Sequence, residues 1–139
     1  MAGVIEELLC RGLLFNLFLA IFNKSKYFLV WASLCSSLFF GLFHFVNLIH
    51  QPLKSTLGQI AFAIALGMIF CYFRIITNNV IWGIVIHTYI DFSPQILTNN
   101  TGTKDIGLSV IIPIYLVILL LVLICIYIYN RHYNIVEEK

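Results

Sequence analysis

From Ile106 to Tyr129 the chain carries no Lys, Arg, Asp or Glu, a run longer than the ~20 apolar residues a helix needs to cross a bilayer. A segment of that kind cannot sit in the core of an ordinary soluble domain, and it does not stand alone. Apolar stretches recur at Val4 to Phe22, Tyr27 to Ile49, Leu57 to Ile76 and Val80 to Leu97, separated by turn formers at Asn23-Lys24-Ser25-Lys26, His50 to Ser55, Thr77-Asn78-Asn79 and Thr98 to Asp105. Within a bilayer every backbone polar group must be paired inside its own segment, so such runs are helical and the polar breaks lie at the water boundary. The expected fold is all-α, a polytopic transmembrane bundle of about five spans. Pro113 sits near the start of the last span, where it would at most bend the helix.

Only 10% of the 139 residues are charged, against about a quarter in a typical soluble protein. Eight Lys and Arg against six Asp and Glu cannot build a basic face, which excludes nucleic acid as a partner and leaves the lipid bilayer and what it delivers. Cys10, Cys35, Cys71 and Cys125 are scattered singly without a CxxC pair and are expected to be buried small hydrophobes. Heavy use of Ile, Asn, Lys, Phe and Tyr is consistent with an AT-rich bacterial genome and a multi-pass protein of the cell membrane.

If the spans alternate in direction, one face collects Glu6, Glu7, His44, Asn47, His50, Gln51, Asp91, Ser93 and Gln95. The other collects an aromatic belt of Tyr27, Trp31, Tyr72, Trp82, Tyr127 and Tyr129. Lys24, Lys26, Arg74, Arg131 and Lys139 lie on the aromatic side against Lys54 and Lys104 on the polar side, so the positive-inside rule puts the aromatic side in the cytoplasm.

Ionisable groups inside a span cost about 2.5–3.5 kcal/mol at its centre, so each one calls for a function or a partner. In the first span Glu7 and Arg11 are four residues apart and are expected to pair, leaving Glu6 free; both glutamates also suit a helix N-terminus. In the second, Phe40, Gly41, His44 and Asn47 form a stripe with a small residue where another helix can approach. In the fourth, Gly83, His87 and Asp91 repeat the four-residue step. Glu6, His44 and His87 also supply the ligand types of a two-His, one-carboxylate zinc site, although no HExxH helix is present.

These residues also spell three motifs in order: Glu6-Glu7-Leu8-Leu9-Cys10-Arg11 as EExxxR, Phe40 to His44 as FxxxH, and His87 to Asp91 as HxxxN/D. Together they resemble the CPBP family of intramembrane proteases, the CAAX proteases and bacteriocin-processing enzymes also called Abi proteins, related to the type II prenyl-protein endopeptidases. The resemblance covers Glu6 to Asp91. It implies hydrolysis of a peptide bond in a hydrophobic or lipid-anchored peptide, with no metal cofactor and no acyl-enzyme. Glu6 would take a proton from water that His44 orients. His87 would stabilise the oxyanion, with Asp91 holding His87 through a hydrogen bond, while Glu7, Arg11 and Phe40 position the helices. A rival reading is a non-catalytic bacteriocin-immunity or scaffold protein of the same fold.

Residues 1–97 thus form the expected catalytic core, and 98–139 a polar loop, the last span and a short polar tail. Relatives carry helices before the EExxxR segment, so upstream helices are expected to be missing here. At ~1.5 Å per residue, His44 should lie roughly 7 Å and His87 roughly 15 Å in from the polar boundary, but Glu6 only about 3 Å. On that count the glutamate is too shallow to meet the histidines.

Overall fold

The computed structural model describes residues 2–97 and 108–137. It contains five helical segments and, among the described residues, no strand. Helix α1 (residues 2–21) is α-helical over Ala2–Glu7 and Phe15–Ile21, with a π-helical stretch over Leu8–Leu14 between them. Helix α2 spans Phe28–Phe43 and continues as a 3-10 turn over His44–Ile49. Helices α3, α4 and α5 span Leu53–Thr77, Ile81–Leu97 and Leu108–Glu137. Phe28–Ile49, Leu53–Thr77 and Leu108–Ile135 are each long and apolar enough to cross a membrane, and Ile81–Phe92 is a shorter apolar helix. The expected break at Thr98 to Asp105, with Lys104, and Lys139 lie outside the described residues, as do the side chains of Ser93 and Gln95.

The turns explain where the helices stop. Asn78 ends α3 in the left-handed region at φ 50°, a conformation that asparagine tolerates better than most residues. The Oδ1 of Asn79 then accepts the N–H of Ile81 at 2.9 Å, capping the first turn of α4. Pro52 opens α3, where its missing N–H is no loss, and its carbonyl accepts the N–H of Thr56 at 3.1 Å.

Helix α3 is central, packed on α2 along one side and on α5 along the other, while α4 packs against α3 and the first turns of α1. Gly41 permits the α2–α3 approach, since a Cβ there would run into Ile64. Phe15, Ala32 and Cys71 bring α1, α2 and α3 together, and Leu29, Met68 and Ile126 do so for α2, α3 and α5. Of the cysteines, Cys10 and Cys71 are buried and Cys35 half-buried, but Cys125 is exposed, because the outer face of α5 has no neighbouring helix to turn toward.

A buried amide fixes α5. Asn130 accepts the N–H of Leu29 at 3.0 Å, near the start of α2, and donates to the carbonyl of Lys26 at 2.7 Å; Asn134 donates to the same carbonyl at 2.8 Å. Helix α5 therefore caps α2 from the side, meeting an amide that has no partner within its own helix. Asn130→Ala should destabilise the protein by about 1–3 kcal/mol, the penalty for leaving buried groups unpaired, read as a fall in the thermal midpoint of the purified protein.

Candidate active site

The polar residues expected on three separate spans line one cavity. Glu6, His44, Asn47, His87 and Asp91 border a space of about 320 Å³, and Phe40, His44, His87 and Asp91 border an adjoining one of about 230 Å³. Glu6 Oε2 lies 3.6 Å from His87 Nε2, so the shallow placement expected from residue counts is wrong. The reason is Gly3. A Cβ there would stand 3.0 Å from Asp91 and 3.2 Å from the ring of His87, so the bare backbone lets the first turn of α1 run alongside α4 to the depth of His87.

The π-helical stretch follows directly. At its end the N–H of Phe15 bonds to the carbonyl of Cys10, five residues back, and Ser36 of α2 donates to that carbonyl at 2.8 Å. Such widened turns are rare and concentrate at functional sites. Arg11 within it donates to Glu7 at 2.7 Å, the ion pair read from the sequence spacing, with both side chains fully buried. The guanidinium lies 4.4 Å from the ring centre of Phe40 and 5.2 Å from that of Phe70, a cation–π arrangement that offsets part of its desolvation.

Glu7 does more than pair with Arg11. Its Oε1 lies 3.1 Å from His87 Nδ1, whereas Asp91 stays at 3.7 Å from Nε2, beyond hydrogen-bond range. The close partner of His87 is thus Glu7, from the neighbouring helix, and not Asp91, one turn away on the same helix. A carboxylate can only accept, so Nδ1 carries the proton and Nε2 faces the cavity between Glu6 and Asp91. Gly83 makes room for this pairing, since a Cβ there would sit 2.7 Å from Glu7 Oε2.

His44 is set differently from the sequence expectation, because the α-helical stripe stops at Phe43. Its N–H bonds to the carbonyl of Gly41, three residues back, and its ring Nδ1 meets the carbonyl of Phe40 at 3.0 Å. Nδ1 must donate there, which leaves Nε2 of the neutral ring as an acceptor. Phe40 presents its ring edge-on to both histidines, at 5.3 Å from His44 and 5.4 Å from His87.

One residue of the site was missed in the sequence. Gln59 of α3 accepts from Asn47 at 2.8 Å and borders both cavities; as an amide inside an apolar span it carried a signal, but not an ionisable one. Among the described residues, no group of three or more His, Cys, Asp or Glu side chains converges to hold a metal ion.

The family model of the type II CAAX prenyl endopeptidase Rce1-like proteins matches residues 1–93, which include all the cavity residues named above. No curated protein and no solved structure matches the chain significantly.

Proposed function

Since the chain belongs to the type II CAAX prenyl endopeptidase Rce1-like family, a family of membrane proteases, we propose that it hydrolyses a peptide bond in a hydrophobic or lipid-anchored peptide at the polar end of its bundle. The convergence of Glu6, His44 and His87 on one cavity carries this reading. Cell-membrane residence as a multi-pass protein in a bacterium belongs to the same proposal.

In the proposed reaction a water held by the Nε2 acceptor of His44 gives a proton to the Glu6 carboxylate as its oxygen attacks the scissile carbonyl carbon. The carbonyl electrons move onto oxygen, and the doubly protonated form of His87 donates Nε2–H to that oxyanion while Nδ1–H stays with Glu7. Collapse breaks the C–N bond. The proton held by Glu6 passes to the leaving amine, which restores the carboxylate and releases a new carboxyl terminus. Asp91 borders the substrate's path beside Nε2, and Arg11 and Phe40 hold Glu7 and the two rings in place.

Membranes containing the wild-type chain should cleave a lipidated reporter peptide, and Glu6→Ala, His44→Ala and His87→Ala should each abolish cleavage. Activity that survives all three would contradict the proposal and favour a binding role. At Asp91, Asn should retain most activity, because it keeps the shape of the cavity wall beside Nε2 and can donate a hydrogen bond to the oxyanion, and Ala should lose most of it. An active Ala variant beside an inactive Asn variant would show the assignment at this position to be wrong.

A further inference from the structure

At the end of the bundle opposite the candidate active site, a second cavity of about 400 Å³ opens among α1, α2, α3 and α5. Its wall is apolar at Phe15, Leu19 and Phe28 and polar at Arg74, Asn78 and Tyr129. Arg74 lies in the last turn of α3 and Phe28 begins α2, so the polar part sits where the bundle meets the aqueous boundary. Phe15 lies roughly 9 Å along α1 from its end at Ile21, at ~1.5 Å per residue, which carries the apolar part inward.

Arg74 is only half satisfied. Its Nη1 donates to Asn78 Oδ1 at 2.6 Å, but its buried Nε has no partner. That Nε is closed off from the cavity, but the guanidinium borders the cavity and can meet a phosphate oxygen there. Every carboxylate with a described side chain, Glu6, Glu7 and Asp91, belongs to the other end. At this end the chain instead places Lys24 and Lys26 in the α1–α2 turn, pinned to α5 through the carbonyl of Lys26. These cations, the Arg74 guanidinium on the cavity wall and an apolar wall running inward together describe a site for an anion with a hydrocarbon tail.

We infer that this cavity seats an anionic phospholipid, its phosphate on the Arg74 guanidinium and an acyl chain along Phe15, Leu19 and Phe28. The inference is independent of the peptidase reading. Detergent-purified protein, presented with phosphatidylglycerol and phosphatidylcholine of identical chains, should retain phosphatidylglycerol about tenfold more tightly by native mass spectrometry, because both carry the phosphate but only phosphatidylcholine brings a quaternary ammonium, which Arg74 repels. Arg74→Gln should lose that preference, and Arg131→Gln, on the face of α5 away from Tyr129 and Tyr133, should keep it. Equal retention of the two lipids by the wild type would overturn the inference whether or not Arg74→Gln folds. Undiminished preference in Arg74→Gln would also overturn it, as would complete displacement by inorganic phosphate, which would show that the tail adds nothing.

Discussion

Replacing Glu6 by Gln should slow peptide hydrolysis by about 10²–10⁴-fold, the usual contribution of a general base, and leave the thermal midpoint almost unchanged. The two halves of this expectation have different origins. Gln keeps the size and hydrogen-bonding shape of Glu6 but cannot take a proton from water at the position 3.6 Å from His87 Nε2. The side chain is 37% exposed, so the carboxylate is solvated in the cavity and its charge holds no helix together; substitutions at such sites usually change stability by about 0.5 kcal/mol or less. Turnover of a lipidated reporter, measured beside the melting curve of the same preparation, checks both. A variant that is stable and fully active would place the base elsewhere.

One residue along, the expectation reverses. Glu7→Gln should destabilise the protein by about 3–5 kcal/mol, the cost of breaking a buried ion pair by removing one partner. Glu7 is completely buried, and its carboxylate accepts the Arg11 hydrogen bond at 2.7 Å, while Nε and Nη2 of Arg11 are without partners among the described residues. Loss of activity in this variant would follow from the loss of fold and say little about chemistry. A double replacement separates the two effects: Glu7→Leu with Arg11→Met removes both charges together and should recover most of the stability. It should stay inactive, because His87 would have lost the acceptor at 3.1 Å that fixes its Nδ1 proton. Recovery of activity along with stability would show that His87 does not need Glu7.

The five helices were legible because the signal for each is long and local: an apolar run bounded by Asn, Ser, Pro or Gly. The Glu7–Arg11 pair was legible for the same reason, since a four-residue step fixes the geometry without any neighbour. What could not be read are relations between helices. The depth of Glu6 was misjudged by counting each helix from its own first residue, whereas the level of α1 is set by how far Gly3 lets it travel along α4. The Glu7–His87 contact joins residues that no spacing rule connects. The end of the α2 stripe at Phe43 depends on what happens across the groove, where Asn47 meets Gln59. Asn130 and Gln59 carry no spacing signal, since an amide costs less to bury than a charge and the partners of these two lie on other elements. The motifs from Glu6 to Asp91 fall within the 93 residues that the family model matches, and α5 begins beyond them.

The wide turn in α1 sets a rule about length rather than identity. Leu8, Leu9 and Leu13 point outward, and any apolar residue would serve at those places. The number of residues between Glu7 and Phe15 is another matter. Phe15 is anchored against Ala32 and Cys71, and Gly3 against His87 and Asp91, so the stretch between them must deliver a set rotation. The wide turn holds one residue more than an α turn, so removing one there would close it to ordinary α-helical winding with both flanks still in register, whereas adding one would swing the first turns by about 100°. Gly3 would then leave His87, and Glu6 would turn from the cavity. This segment should therefore accept many substitutions in its outward residues and no single-residue insertion.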